Sequence, residues 1–434
     1  MKIAIVEIPH PQSELFYRDW AGGFGTRFMV GRSLKARLIE QAKKRGVSLP
    51  QVSIGYMVAI LERYSHRVII TDTLPNEKVD YALVASSIIN YREEVKFARL
   101  IKKRWGAAVG FFGPFAGNVP EIFEPAADFI VRGEPEAVAY RLAHGETLRG
   151  MVESPPVKYL DALPFPEWGL YDIRRFSYFP NLTVRPVIPV QSARGCPYGC
   201  AYCAYRANFS FRMRSPEGVV DELQFLKKAY GIRGVIFRDP IFTIDRSRSE
   251  AIARLMIKRN INLRWGCETH IKDLDIDLLD LLYEAGLRSI NVGIESASEE
   301  VMKAAHRLPF DSKAHQEMII RYCDEKKIRV TAFYILGLLS DTLQTIRDTI
   351  RYAQHLNTHT VSFNMLAPYP GTECYDELKE IVTEEFDHFT SFDPVIDHPR
   401  LSKGDLLRLK EEAFTSYYFR WAYVKAFMKR ILWR

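Results

Sequence analysis

Short apolar runs alternate with longer amphipathic segments along almost the whole chain, and this alternation limits the possible folds more than any other feature. In the first third, the pattern predicts strands at residues 2–8, 67–72, 81–85, 107–112 and 129–132. Strands that alternate with helices form parallel sheets. We therefore predict that residues 1–150 form a Rossmann-like, doubly wound domain of the α/β class.

A second series of strands follows a proline-rich stretch at residues 151–186, which we interpret as a linker. Apolar runs then predict strands at residues 187–193, 234–238, 263–267, 289–294, 329–336 and 360–366. Six parallel strand–helix units make an open, partial (β/α)6 version of the (β/α)8 barrel. We predict this barrel at residues 187–385 and a C-terminal helical extension at residues 386–434.

Composition excludes several function classes. The net charge of +7 is modest for 434 residues and is spread along the chain, unlike the clustered charge of a nucleic-acid-binding protein. No stretch approaches the roughly 20 apolar residues of a membrane span, and the N-terminus lacks a secretory apolar segment. We therefore expect a cytoplasmic protein that binds no nucleic acid.

Three of the six cysteines form a compact motif. Cys196, Cys200 and Cys203 have C-x3-C-x2-C spacing and directly follow the first predicted barrel strand, whose carboxyl end is where such barrels carry functional residues. Fully ligated iron–sulfur clusters take four cysteines. Three thiolates can therefore hold a cubane cluster and leave its fourth iron open to a substrate or cofactor. We predict that these three cysteines are catalytic metal ligands.

This motif and the segments after it resemble the radical S-adenosylmethionine (SAM) superfamily, and the first third resembles the cobalamin-binding-type domain of one branch of it. The resemblance covers about residues 1–385. It implies a 4Fe-4S cluster whose open iron is chelated by the amino and carboxylate groups of SAM. It also implies that an electron from the cluster cleaves SAM to methionine and a 5′-deoxyadenosyl radical.

The resemblance further implies SAM contacts at the carboxyl ends of the strands. Tyr202 matches an aromatic position whose backbone meets the adenine, and residues 267–270 look like the family's C-E-T-R segment with His270 in place of Arg. Residues 293–297 resemble the G-x-E-S-G/A element, and residues 335–342 resemble I-x-G-L-P-G-E-T. The predicted SAM contacts are Tyr202, Asp239, Glu268, Gly293, Glu295, Ser296 and Gly337.

Two of these residues also have a structural interpretation that needs no ligand. Asp239 precedes a proline, so it can form a turn instead of facing the cavity. Glu295 ends an apolar strand, where a buried carboxylate needs a partner; we favour SAM as that partner over a structural salt bridge.

Small residues follow the predicted strands of the first domain, and the resemblance makes cobalamin their natural ligand. The predicted cobalamin contacts are Ser86, Ser87, Gly113, Pro114, Gly133 and Glu134. Small side chains let a flat macrocycle approach the backbone, although ordinary tight turns have the same composition. The chain lacks the D-x-H-x-x-G motif that supplies a cobalt ligand. His10, on the loop after the first strand, could approach the corrin, but we favour a solvated loop histidine there.

The C-terminus has a local charge asymmetry. Residues 413–434 contain five Lys or Arg, no Asp or Glu, and eight aromatic residues, with apolar residues at helical spacing. An amphipathic helix packed on the barrel explains this pattern. A helix that lies on a membrane surface explains it too, and would hint at a lipid-like substrate.

The leading hypothesis is a cobalamin-dependent radical SAM methyltransferase that methylates an unactivated carbon of a small-molecule or lipid-like substrate. The alternative is a radical-mediated oxidative cyclisation, ring contraction or C–C rearrangement, with or without cobalamin. Either reaction needs an external electron donor such as flavodoxin or ferredoxin. A methylthiotransferase is disfavoured because the chain has no second cysteine trio. A sensor that keeps the cofactors only as ligands is the remaining, non-enzymatic alternative.

Overall fold

The computed structural model describes residues 1–10, 16–44, 46–307 and 311–433, apart from the side chains of residues 206 and 207. Its N-terminal strands are β1 (Lys2–Val6), β2 (Phe16–Tyr17), β3 (Thr26–Arg27), β4 (Val47–Ser48), β5 (Arg67–Thr71), β6 (Tyr81–Ala85), β7 (Ala108–Phe112), β8 (Phe129–Gly133) and β9 (Gly150–Ser154). The helices of this part are α1 (Leu34–Lys44), α2 (Val52–Arg63), α3 (Tyr91–Trp105), α4 (Pro114–Asn118) and α5 (Pro135–Ala143).

The first sheet has the strand order β5-β1-β6-β7-β8-β9 with every neighbouring pair parallel. Separate hydrophobic cores cover its two faces, which is why its central strands are continuous apolar runs. The edge strand β9 extends the sheet to Ser154, into the segment that we predicted as a linker. Its exposed and buried residues alternate because it lies at the edge, so it lacks the apolar run of a central strand.

The remaining strands are β10 (Ser177–Tyr178), β11 (Val187–Val190), β12 (Ala193–Arg194), β13 (Arg212–Met213), β14 (Gly234–Phe237), β15 (Arg264–Thr269), β16 (Leu287–Glu295), β17 (Arg329–Leu336) and β18 (Thr360–Met365). The remaining helices are α6 (Ala204–Asn208), α7 (Pro216–Tyr230), α8 (Arg246–Lys258), α9 (Ile276–Glu284), α10 (Glu299–Ala304), α11 (Lys313–Glu325), α12 (Leu343–Leu356), α13 (Glu373–Leu378), α14 (Lys403–Tyr418) and α15 (Trp421–Ile431). Short 3-10 helices lie at Ala21–Gly23, Pro120–Ile122, Leu160–Ala162, Ile173–Arg175, Ile271–Asp273, Lys379–Ile381 and Phe386–His388.

The second sheet has the order β11-β14-β15-β16-β17-β18, again parallel throughout. Helix signals in the sequence explain its spacing. Helix α7, for example, begins after Ser215, whose side chain accepts a hydrogen bond from the Gly218 N–H, and ends at Gly231 in the left-handed conformation. The predicted α/β architecture, a Rossmann-like sheet followed by a partial barrel and C-terminal helices, is confirmed.

The two sheets share a hydrophobic core. One cluster joins Val84 and Phe111 of the first sheet to Leu338, Leu366 and Tyr369, which lie beyond the carboxyl ends of β17 and β18. The first domain therefore packs directly on the barrel edge where functional residues are expected. Among the described residues, no helix combines the length and the apolarity needed to cross a bilayer.

Candidate active site

A cavity of about 330 Å³ opens at the carboxyl ends of the barrel strands. Its lining comes from β14 to β18, from the loop between β12 and β13, from residues 20–22 of the first domain and from residues 391–392. The cavity is therefore bounded by both domains. Cys196, Cys200 and Cys203 all lie on its wall.

The cysteines occupy a loop with a short antiparallel stem. Arg194 of β12 pairs with Arg212 of β13 at the base of this loop. Gly195 has a φ of +73°, and a Cβ there would lie 2.5 Å from the carbonyl oxygens of residues 209 and 210. Only glycine fits that turn, which starts the loop directly before Cys196.

None of the three cysteines forms a disulfide, and all three are half-buried. Burial raises the pKa of Cys196 and of Cys200, and the nearby Arg307 guanidinium opposes that rise. Among the described residues, no three His, Cys, Asp or Glu side chains converge as ligands of a single metal ion. Three thiols around one cavity suit an iron–sulfur cluster, and they would lose their protons if one bound.

The carboxylate of Glu295, a residue with a strained backbone, lies on the same wall. Glu295 ends β16 with a φ of +62°, at a register shift in the pairing of β16 with β17. A non-glycine residue holds this conformation only where its surroundings enforce it, and such strain clusters at functional sites. Burial raises the pKa of Glu295, and its Oε1 lies 3.6 Å from Nε of Arg307. Arg307 Nη2 also donates to the Gly293 carbonyl, at 3.4 Å.

A second ion pair lies at β14 and β15. Arg238 Nη1 donates to Glu268 Oε1, and Arg238 Nε lies 3.6 Å from a carboxylate oxygen of Asp19. Burial raises the pKa of Glu268 and of Asp19, while Arg238 opposes both shifts. His270 lies beside this pair on the cavity wall, with its ring edge-on to Tyr198 at 6.0 Å between centroids.

Of the predicted SAM contacts, Tyr202, Glu268, Gly293 and Glu295 line the cavity. The structure corrects the prediction for Asp239, whose buried carboxylate accepts hydrogen bonds from the backbone N–H and the hydroxyl of Ser192. This carboxylate ties two adjacent strand ends together and does not face the cavity. Asp239 therefore has a structural role, but this role is the contact with Ser192 and not the turn that we considered.

Ser296 and Gly337 also lie outside the cavity wall. The Ser296 hydroxyl accepts from the Ser298 N–H at 3.2 Å and lies 3.3 Å from the Thr349 hydroxyl. The Gly337 N–H donates to Asp341 Oδ2 at 3.0 Å. Both residues shape the loops next to the site, and their polar groups have protein partners.

The six predicted cobalamin contacts lie at the carboxyl edge of the first sheet, but none lines the part of the cavity that the structure describes. Ser86 Oγ accepts from the Ala116 N–H, and the Ser87 N–H and hydroxyl donate to Glu94. A Cβ on Gly113 would lie 2.8 Å from Ser86 Oγ. The small residues there accommodate the protein's own backbone.

A segment of the chain covers the same edge. The Ile88 N–H donates to the Phe24 carbonyl at 2.8 Å, and a Cβ on Gly23 would lie 3.1 Å from Pro114. A Cβ on Gly133 would overlap the Ser154 carbonyl oxygen. His10 lies in a separate cavity of about 270 Å³, together with Arg92 and Asp387. Residues 16–27 therefore stand between the first sheet and the barrel.

Glu134 has a different role from the predicted one. Its Oε2 accepts from Arg194 Nη1 at 2.9 Å and from Arg212 Nη1 at 3.2 Å, and Glu136 Oε1 accepts from Arg194 Nη2 at 2.6 Å. Burial alone would raise the pKa of Glu134, but the hydrogen bonds from Arg212 and the charge of Arg194 hold it below its usual value. Glu134 thus anchors both strands of the stem that carries the cysteines.

Sequence reasoning missed several residues of this site. Arg307 lies in the loop after α10, in a segment without a motif, and no local signal indicates it. Arg238 carries a signal, since a single arginine ends an otherwise apolar strand. The glycine-rich run at residues 21–25 is also a visible signal for a close backbone approach, and Gly22 lies on the cavity wall.

Comparison with known proteins finds a family match within the barrel. Residues 190–353 match the model of the radical SAM superfamily. Over 350 residues, the chain is 27% identical to the anaerobic magnesium-protoporphyrin IX monomethyl ester cyclase of Rubrivivax gelatinosus, covering 74% of this chain and 61% of that relative. It is 24% identical to the uncharacterized methyltransferase PH0819 of Pyrococcus horikoshii, covering 88% of this chain and 91% of the relative. The chain therefore spans less than two thirds of the cyclase.

Two solved structures share the fold. The radical SAM methyltransferase TsrM from Kitasatospora setae, with cobalamin and a [4Fe-4S] cluster bound, aligns with a TM-score of 0.65 at 16% identity, covering 87% of this chain and 78% of TsrM. The cobalamin-dependent SAM radical enzyme OxsB aligns with a TM-score of 0.58 at 15% identity, covering 87% of this chain and 55% of OxsB. Both alignments extend over the first domain as well as the barrel.

Proposed function

We propose that this chain, a radical SAM enzyme, methylates a carbon atom of a small molecule by a radical route, with cobalamin as a second cofactor. One observation carries the proposal: three half-exposed thiols and the largely buried carboxylate of Glu295, whose backbone is strained, face a single cavity that the first domain helps to enclose. The methyltransferases among the relatives support the choice of reaction.

Cys196, Cys200 and Cys203 would hold the cluster, which when bound supplies the electron that cleaves SAM. The stem residues Arg194 and Arg212 keep the loop in place through Glu134. The positive charge of Arg307 beside Cys200 favours the thiolate form of the ligands, because an opposite charge nearby lowers the pKa of a thiol.

Glu295 and Arg307 would bind the polar groups of SAM. The Glu295 carboxylate suits the amino group or the ribose hydroxyls as hydrogen-bond donors, and the Arg307 guanidinium suits the SAM carboxylate. Their mutual distance of 3.6 Å is longer than a hydrogen bond, so both groups retain capacity for a ligand. Tyr202 contributes the aromatic wall on this side.

The opposite wall suggests the class of substrate. Phe333, Ile335, Met365, Tyr369 and Phe392 supply its apolar surface, and its polar side chains are uncharged. The charged side chains that line the cavity, among the residues that the structure describes, lie on the side formed by β14 to β16 and the cysteine loop. This separation favours a largely apolar, uncharged substrate, which would also help to exclude water from an organic radical.

Support for cobalamin comes from the relatives and from residues 20–22. Trp20 presents a flat ring stacked on Tyr17, with 4.7 Å between centroids and 20° between planes, and Ala21 and Gly22 add small residues to the same wall. A flat, small-residue wall suits the face of a macrocycle. Cobalamin, when bound, would supply the methyl group. The proposal does not use the six cobalamin contacts predicted from the sequence, because other residues of the protein pack against them.

An oxidative cyclisation is the second candidate. The observation in its favour is the 27% identity to the anaerobic magnesium-protoporphyrin IX monomethyl ester cyclase, over residues from both domains. The same cavity, cluster ligands and SAM contacts would serve it. The two candidates differ in whether the methyl group of SAM leaves with the product.

The test uses protein purified anaerobically from cells supplied with hydroxocobalamin, then incubated with dithionite and SAM labelled in its methyl group. We expect bound corrin in the absorption spectrum, 5′-deoxyadenosine formation, and label on the corrin. Formation of 5′-deoxyadenosine without corrin binding or label transfer would reject methylation in favour of the cyclisation. Unchanged SAM would contradict both candidates.

A further inference from the structure

Helix α15 has an inner face that fixes it to the barrel. Arg430 Nε donates to Asp324 Oδ1 at 2.6 Å, and Arg329 Nη2 donates to the Arg430 carbonyl at 3.0 Å. The Tyr423 hydroxyl donates to the His359 carbonyl at 3.0 Å, and the Phe427 ring stacks on the His359 ring. These contacts fix the orientation of the helix and decide which side chains face outward.

The outer face is an apolar stripe. Trp421, Val424, Met428 and Leu432 are 79%, 39%, 60% and 77% exposed, and their spacing of three or four residues places them on one side of the helix. Single exposed apolar residues are ordinary, but a contiguous row of them marks an interaction surface. The inner contacts make rotation of this stripe into the core impossible without breaking the Arg430–Asp324 pair.

Helix α1 extends the stripe. The Lys35 ammonium lies 5.5 Å from the centroid of the Phe419 ring, which places the first turn of α1 beside the junction of α14 and α15. Phe419 is 45% exposed, and Leu34 and Leu38 of α1 are 75% and 53% exposed. We call the exposed side chains of Leu34, Leu38, Phe419, Trp421, Val424, Met428 and Leu432 the α1–α15 patch.

Basic side chains flank the α1–α15 patch. Lys35 and Arg37 lie exposed on α1, and Lys425 and Lys429 lie exposed on α15. Within the described residues, neither Lys425 nor Lys429 has an ion-pair partner, and no acidic residue occurs from position 413 to the C-terminus. Apolar side chains including Trp, flanked by unpaired Lys, complement an anionic lipid surface, where acyl chains lie beneath negative headgroups.

We propose that the α1–α15 patch binds the surface of a membrane containing anionic lipids. The α15 part of the patch lies away from the cavity, because α15 contacts Arg329 and His359 at the amino ends of β17 and β18, whereas the cavity opens at their carboxyl ends. Membrane binding would therefore leave the cavity accessible. The proposal is independent of the reaction that the enzyme catalyses.

The test is co-sedimentation of the full-length, cluster-loaded protein with sucrose-loaded vesicles of phosphatidylcholine and phosphatidylglycerol in a 3:1 ratio. We expect binding that weakens as salt concentration rises and that is at least tenfold weaker with phosphatidylcholine alone. The double variant K425Q/K429Q removes two charges, each worth roughly fivefold in partitioning, so it should bind roughly 25-fold more weakly. W421S/M428S should lose binding to both kinds of vesicle.

Tyr159→Ser is the matched control, since Tyr159 is 69% exposed beside Lys158 but lies far from α15 in sequence and outside the patch. It should bind as the wild type does, and all variants should keep the wild-type melting temperature because the altered side chains are exposed. Absence of vesicle binding, or binding that neither double variant reduces, would overturn the proposal. A dimer in light scattering that W421S/M428S converts to a monomer, without vesicle binding, would overturn it in favour of contact between two copies of the chain.

Discussion

The two parallel sheets of this protein end in opposite ways at their carboxyl edges. At the first sheet, Ser86, Ser87 and Glu94 hydrogen-bond to one another or to neighbouring backbone, and residues 16–27 cover them. At the barrel, the strand ends surround a cavity with half-exposed thiols and loosely paired charges. Parallel topology alone brings strand ends together. Whether they form a ligand site depends on what fills the space beyond them.

The comparison also shows how one edge supports the other. Glu134 follows the last residue of β8, and it holds Arg194 and Arg212 at the base of the cysteine loop. Both arginines and Glu134 are largely buried, so both ion pairs are shielded from solvent. The first domain therefore supports the cysteine loop through a buried ion-pair network.

The strongest test of the open edge is Cys200→Ala. Losing one of three thiolate ligands should abolish the cluster's visible absorption and reduce 5′-deoxyadenosine formation at least 100-fold, as measured after anaerobic iron reconstitution. Cys374→Ala is the matched control, because Cys374 is buried in the shared core and outside the cavity wall. Equal cluster content in wild type and Cys200→Ala would contradict the ligand assignment.

The closed edge is tested by Glu134→Gln. Removing one partner of a buried ion pair leaves an uncompensated charge and costs about 3–5 kcal/mol in the free energy of unfolding. We expect a lower urea midpoint and, at temperatures where the variant stays folded, faster extraction of the iron by a chelator. Such a result would show that iron retention by the cysteine loop depends on the first domain.

Glu153→Gln is the control for that variant. Glu153 pairs with Arg132 at the surface, where the two side chains are 68% and 49% exposed, so its loss should cost less than about 1 kcal/mol. If the two variants lost iron at the same rate, the ion pairs of Glu134 with Arg194 and Arg212 would have no influence on iron retention.

The SAM contact of the open edge is tested by Glu295→Gln. A hydrogen bond to a charged group contributes about 1.5–3 kcal/mol, so SAM affinity should fall roughly tenfold to 100-fold while cluster absorption stays unchanged. Isothermal titration of the reconstituted protein measures this. Glu299→Gln, in an exposed pair with Lys303 four residues further along the chain, should bind SAM as the wild type does. Unchanged affinity in Glu295→Gln would remove that residue from the site.

The sequence predicts most of the fold because the central strands are buried on both faces. Predicted residues 187–193, 289–294 and 329–336 overlap β11, β16 and β17. The edge strand β9 was not predicted, because only alternate residues of it are buried. The short strands β2 to β4 were not predicted either, since two-residue strands leave no periodicity to recognise.

The site was predictable where local motifs define it. The cysteines, Glu268 and Glu295 belong to short runs at strand ends, and all of them line the cavity. The pairing of Glu134 with Arg194 joins residues 60 positions apart, and no local pattern records it. The direction of the Asp239 side chain was equally hidden, because a buried carboxylate turns toward the nearest donors. Here these are the N–H and the hydroxyl of Ser192, and their position depends on the folded backbone.

The smallest expected effect concerns Asp341, which closes the loop after β17. Burial raises the pKa of Asp341 to about 6, although Thr345 and the N–H groups of Gly337 and Leu338 donate to its carboxylate. The folded state therefore holds this proton more tightly than the unfolded state, so the contribution of Asp341 to stability is present at low pH and is lost as the pH rises toward and through 6. Between pH 5 and pH 6 the loss is about 1 kcal/mol.

Asp341→Asn should remove this slope, because an amide has the same shape and does not titrate. The measurement is the free energy of unfolding in urea at pH 5 and pH 6, for the wild type and the variant. Asp348→Asn, on the exposed side of α12, is the control and should keep the wild-type slope. If the stability of the wild type fell no more steeply than that of Asp341→Asn over this interval, the Asp341 carboxyl would be open to solvent. The loop after β17 would then be as open as the cavity wall beside it.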